Sequence, residues 1–208
     1  MYAMNLVLLA SHTIDVDLLP DEPIVLDVGC RWFDFARGIL AHRPKAVVLC
    51  LDPSSDVTRD VDLPTRQVQF RPIALVGHDR FSTNFAEGIA GDGGGNHALD
   101  ADRDGDYKIR RVPCQNIEQF MYHWGVQHFD AVKLDCEGSE FGILESWPGP
   151  IATQLSVEFH DCFKKEIRDG DYYTKLMAKL PWYRLVQHDL SVQGTGLGHW
   201  DSLFVLGK

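Results

Sequence analysis

Two stretches of this chain place acids, and in one case a histidine, directly after an apolar run. In Phe129 to Glu140, FDAVKLDCEGSE, the run ends in Asp135 and Glu137, and Gly138 follows. In Ser156 to Asp161, SVEFHD, Glu158 and His160 stand in the same relation to a second run. Residues two apart project to the same side of an extended chain, so each pair presents its polar groups together. Such groups at strand tips suit general acid–base chemistry. The same oxygens also suit a divalent metal. A solvated strand end with a helix-capping acid accounts for either stretch alone; it is the recurrence that marks a site. In the same bland terms, Glu158 pairs with Lys133, and His160 is satisfied by neighbouring backbone.

Such tips require strands behind them and helices beside them. Ile24 to Gly29, Ala46 to Leu51, Phe129 to Asp135 and Leu155 to Phe159 read as buried strands, and Tyr183 to Gln187 and Ser202 to Leu206 as the last two. Gln67 to Val76 holds a further strand, at an edge or irregular because of Pro72. Trp32 to His42, Ile117 to Trp124, Gly142 to Trp147 and Tyr172 to Leu180 carry helical signals, and Tyr107 to Val112 a short β pattern. Alternation of this kind predicts an α/β fold with a mostly parallel sheet covered on both faces. The final pair, joined by the turn Gly194 to Gly198, is expected to be antiparallel.

The 208 residues fit one domain over 24–208 after a leader of residues 1–23. A net charge of −10 argues against a nucleic-acid or membrane partner, and Lys108, Arg110 and Arg111 read as an exposed strand face. Leu6 to Ala10 is too short to span a bilayer. The 5 cysteines include no CxxC pair and read as reduced thiols of a cytoplasmic protein. Residues 77–106 form a long Gly/Asp-rich stretch, read as an acidic hairpin or a lid. Within it, Asp100, Asp102, Asp104 and Gly105 reproduce the opening of a calcium loop, but Arg111 occupies the position of its bidentate glutamate.

LDVGCRW places Gly29 at the end of the first strand and a helix after it, so backbone N–H groups face a ligand lying over the strand tips. Asp52 closes the second strand, where an acid accepts ribose hydroxyls. Together they indicate an adenosine-containing ligand.

LDVGC followed by LDP, then VKLDCEGSEFGILE, then VEFH and a late DSLFV, resemble the FkbM family of S-adenosylmethionine-dependent methyltransferases. The resemblance implies a Rossmann-like class I methyltransferase sheet of seven strands with an antiparallel last strand. It further implies S-adenosyl-L-methionine as cofactor and O-methylation of a hydroxyl on a small molecule or sugar. The motif positions it carries over are Asp27, Gly29, Asp52, Asp135, Glu137, Gly138, Glu140, Glu158 and His160. The donor site is expected at Asp27, Gly29, Cys30, Arg31, Asp52, Pro53, Ala74 and Asp135, and adjacency of the two acid-bearing strands suggests Asp135, Glu137, Glu158 and His160 as the catalytic group. Arg31 and Phe33 depart from the family's DVGANxG, and Phe33 stands where backbone ordinarily approaches the cofactor. That departure leaves a degenerate donor-binding module as one alternative, and a metal-dependent, acid-rich hydrolase as another.

Overall fold

The computed structural model describes residues 4–55, 57, 62–79, 81–88, 97–98, 107–160, 171–189 and 199–207. The Asp100 to Gly105 motif, the Gly194 to Gly198 turn and Cys162 lie outside them.

The segment before the first sheet strand contains a hairpin. Strands β1 (Leu6–Leu9) and β2 (His12–Asp15) pair antiparallel, with Leu9 opposite His12. The two turn residues, Ala10 and Ser11, both have positive φ (47° and 68°). A two-residue loop of that form matches the twist of the flanking strands. A short 3₁₀ turn, Val16–Leu18, leads on to β3 (Ile24–Val28).

The strand and helix signals are found close to where the sequence places them: α1 (Asp34–His42), β4 (Val47–Leu51), β5 (Val68–Arg71), α2 (Ile117–Trp124), β10 (Ala131–Leu134), α3 (Glu140–Glu145), β11 (Gln154–His160), α4 (Asp171–Ala178), β12 (Tyr183–Asp189) and β13 (His199–Leu206). Between β5 and α2 stand β6 (Ala74–Leu75), β7 (Ser82–Gly88), β8 (His97–Ala98) and β9 (Tyr107–Gln115). The 7-stranded sheet has the order β12-β13-β11-β10-β3-β4-β5, with β13 antiparallel to both of its neighbours. This is the predicted class I methyltransferase architecture. Pro72 ends β5 at the sheet edge, and the chain beyond it joins a separate 4-stranded sheet, β6-β9-β7-β8. Part of the predicted Gly/Asp loop is thus the β7–β9 hairpin, paired from Ser82 with Pro113 to Gly88 with Tyr107.

Alternation along the strands sorts the core into two layers. Leu26, Val28, Leu49, Leu51, Val132 and Leu134 pack with Phe120 of α2, Phe141 of α3 and Leu176 of α4. Val25, Val48, Cys50 and Ala131 face the other way and pack with Phe35, Ala36 and Ile39 of α1 and with Leu9 and Ile14 of the hairpin. This second face also carries buried polar side chains: Asp27, Lys133, Gln154 and Ser156. The hairpin covers them. Gln154 acts as a surrogate strand for β2, its Oε1 accepting from Asp15 N at 2.8 Å and its Nε2 donating to Asp15 O at 3.0 Å.

Candidate active site

A cavity of about 340 Å³ opens at the carboxyl ends of β3, β4 and β10. Its lining includes Gly29, Cys30, Arg31, Asp52, Pro53 and Ala74 together with Asp135, Cys136 and Glu137. Every expected donor-site residue except Asp27 therefore lines it. Asp27 lies beneath the cavity instead, fully buried, with Lys133 Nζ 3.2 Å from its Oδ1. Ala10, at the tip of the N-terminal hairpin, also reaches the wall.

Gly29 is dictated by the neighbouring strand. Its φ is +77°, and a Cβ added there would lie 1.7 Å from the carbonyl oxygen of Asp135. The tips of β3 and β10 meet only because no side chain intervenes. Asp52 is held as a preformed acceptor: its Oδ2 takes the N–H of Arg31 at 3.1 Å and its Oδ1 that of Ser54 at 2.8 Å. A carboxylate retains further lone pairs beyond these two bonds. The four-stranded sheet steadies the same segment. Glu87 accepts from Ser55 N at 2.6 Å and from Arg110 at 2.9 Å, while Arg110 also donates to the Pro53 carbonyl. Of the predicted basic strand face, Arg110 is therefore spent on the site's scaffold.

Phe33 does not narrow the cavity. Its φ of 59° is the left-handed conformation that a glycine would take without cost, yet its ring is 1% exposed and packs edge-on against Phe70 at 5.7 Å in the second core layer. Arg31 is the departure that does line the cavity, and its guanidinium lies 4.9 Å from the exposed ring of Trp32.

Parallel pairing of β10 with β11 brings the two acid-bearing tips together as expected. His160 Nε2 lies 3.4 Å from Glu158 Oε1 and 3.7 Å from Glu137 Oε2. Of this group only Asp135 and Glu137 reach the cavity wall; Glu158 and His160 stand behind them. Glu137 has φ 52°, a strained setting for a non-glycine residue that turns its side chain out of the strand line. Lys133 pairs with Asp27 and with Asp135 (3.4 Å) rather than with Glu158, and donates to the Gly29 carbonyl at 2.7 Å. His160 Nδ1 lies within hydrogen-bond distance of Glu140 Oε1, at 3.1 Å.

Electrostatics follow from this packing. Burial works to lower the pKa of His160, but Glu140, Glu158 and Glu137 outweigh it and raise the imidazole well above its usual value. Burial would raise Asp135, yet Lys133 and the histidines hold it far below the ordinary carboxylate range. Burial likewise opposes the charge on Lys133, and Asp27 and Asp135 more than restore it, so the amine stays protonated far into alkali.

Three contributors stand outside the expected donor and catalytic residues. Glu140, fully buried, takes the N–H groups of Cys136 at 2.7 Å and Gly138 at 2.8 Å and so shapes the turn on which Glu137 sits. Its place in the KLDCEGSE motif was the available signal. Lys133 lies in the same motif. His12 had no signal at all: it arrives from 123 positions before Asp135, with Nε2 3.6 Å from Asp135 Oδ2 and 3.9 Å from Glu158 Oε2.

This combination of sheet order, strand-tip cavity and acid at the end of β4 defines a class I methyltransferase fold. The match to the methyltransferase FkbM domain over residues 32–180 shows that the chain belongs to that family. Among solved structures, the Methanococcus jannaschii fibrillarin pre-rRNA processing protein superposes with a TM-score of 0.55 at 9% identity, covering 100% of this chain and 84% of that one. An rRNA methylase from Streptococcus thermophilus gives 0.51 at 11% identity, with 93% and 92% covered. A putative rRNA-methylase from Clostridium thermocellum gives 0.52 at 10%, with 93% and 91% covered. At such identities the likeness is one of fold. No curated protein matches the sequence. Among the described residues, no helix is long and apolar enough to cross a membrane.

Proposed function

We propose that this chain is an S-adenosylmethionine-dependent O-methyltransferase acting on a hydroxyl of a small molecule or sugar. The observation that carries the reading is one cavity lined by the Gly29 turn, the Asp52 carboxylate, Asp135 and Glu137. Its residues fit the donor: the remaining lone pairs of Asp52 suit the ribose hydroxyls, and Gly29, Cys30 and Arg31 supply the turn beside them. The donor, when bound, offers a sulfonium methyl that an oxygen nucleophile takes by in-line displacement, so alignment supplies much of the acceleration.

Glu137 is the residue we assign to the acceptor's proton, because it reaches the cavity while His160 is set back. As the oxygen–carbon bond forms and the carbon–sulfur bond breaks, the hydroxyl proton passes to this carboxylate. Asp135, kept ionised by Lys133, favours the positive charge of a bound sulfonium. The net charge of −10 favours a small acceptor over a nucleic acid. The free thiols of Cys30, Cys50, Cys114 and Cys136 support a reducing, cytoplasmic setting.

Calorimetry with S-adenosylmethionine and S-adenosylhomocysteine tests the reading. Both should bind, and Asp52→Ala should weaken both by about tenfold, equivalent to roughly 1.4 kcal/mol. A folded chain that binds neither would overturn the transferase reading and the alternative of an inactive donor-binding module alike. Turnover of an ester or phosphoester without donor would favour the hydrolase.

A further inference from the structure

The carboxylate cluster behind the cavity carries more than proton chemistry requires. One oxygen each of Asp135 and Glu158 and one ring nitrogen of His160 lie within 4.8 Å of one another. His160 presents Nε2 to Glu158 because its Nδ1 is engaged by Glu140, a carboxylate that is itself fully buried. A histidine oriented through its other nitrogen by a carboxylate is the arrangement that prepares an imidazole as a metal ligand. The separation of 3.4 Å between His160 Nε2 and Glu158 Oε1 equals the edge, about 3.4 Å, of a tetrahedron of ligands roughly 2.1 Å from an ion.

A second, independent observation comes from the hairpin. His12 is fully buried, its Nδ1 lies 3.1 Å from Ser156 Oγ, and its Nε2 makes no hydrogen bond. That nitrogen points at Asp135 and Glu158, both beyond hydrogen-bond range.

We infer that Asp135, Glu158 and His160 form a binding site for one divalent first-row transition ion, with its open side toward the cavity. Mixed imidazole and carboxylate donors select manganese or zinc over magnesium and calcium, which take oxygen ligands alone. His12, with Glu158 and Asp201, forms an overlapping triad; the ion is assigned to the first because only Asp135 among these residues lines the cavity. There it would neutralise the acids and face the acceptor hydroxyl of the proposed transfer. The site is shared with that reading, whereas occupancy by an ion does not depend on it.

The test uses the full chain stripped with chelator and titrated with Mn²⁺, following loss of the free-ion electron paramagnetic resonance signal, with Zn²⁺ and Mg²⁺ as competitors. One Mn²⁺ should bind per chain, displaced by Zn²⁺ but not by equimolar Mg²⁺, and Glu158→Gln and His160→Gln should each weaken binding by at least about tenfold. Circular dichroism identifies the folded variants, and Asp201→Asn, outside the assigned triad, should bind as the wild type does. A folded wild type that retains no Mn²⁺ or Zn²⁺, or folded variants that bind as tightly as it does, would overturn the inference. Donor calorimetry on the metal-free chain separates that failure from failure of the transferase reading.

Discussion

Replacing Lys133 by methionine removes the cation on which the centre of the sheet depends. Its Nζ lies 3.2 Å from Asp27, 3.4 Å from Asp135 and 2.7 Å from the Gly29 carbonyl, with 4% of the residue exposed. Asp27 is fully buried, so the substitution strands its carboxylate where water cannot replace the lost partner. Breaking a buried pair from one side costs about 3–5 kcal/mol, whereas removing both charges is often nearly neutral. Lys133→Met should therefore take away a large part of a typical stability of roughly 5–15 kcal/mol. Asp27→Asn added to it should recover most of the loss. Urea unfolding at neutral pH, with free energies taken from midpoint and slope, measures both. Because the folded-state pKa of Lys133 is raised, its contribution is fully present below the unfolded value of about 10.4 and declines only as pH rises through the higher folded one. A single variant within about 1 kcal/mol of wild type, or a double variant no more stable than the single one, would refute the reasoning.

Other outcomes follow from the same contacts. Gly29→Ala should abolish donor binding and destabilise strongly, since its Cβ meets the Asp135 carbonyl at 1.7 Å; Gly125→Ala, with φ +65° but open space around it, should cost only about 1 kcal/mol in unfolding experiments. Gln154→Ala leaves the N–H and carbonyl of Asp15 without their partner, so about 2–3 kcal/mol should be lost and amide exchange in the hairpin should quicken. Burial would raise Glu87, but Arg110 and Ser55 pull its pKa below the usual value. The stability it adds is present above the unfolded pKa of about 4.3 and lost as pH falls through the lower folded value. The difference in urea midpoint between wild type and Glu87→Gln should accordingly be constant near neutrality and shrink in acid.

Much of this protein can be read from residue order. The apolar runs ending at Gly29, Asp52 and Asp135 declare buried strands and their tips, because strands covered on both faces lack polar alternation. The KLDCEGSE and VEFH segments announce the acids and His160, and chain order with parallel pairing places them side by side. Pro72 marks a sheet edge, since it cannot donate to a ladder. Local pattern reaches no further than its own window. It assigned Lys133 to Glu158, whereas strand register seats it opposite Asp27; it set Phe33 against the cofactor, whereas the left-handed backbone turns the ring into the core. Only the assembled sheet could bring His12 from an unremarkable N-terminal hairpin onto Asp135 and Glu158, and only three-dimensional packing made Glu140 the residue that shapes the Glu137 turn. Sequence pattern records what a segment does with its neighbours along the chain; the partners of a buried charge are chosen by which strands lie adjacent.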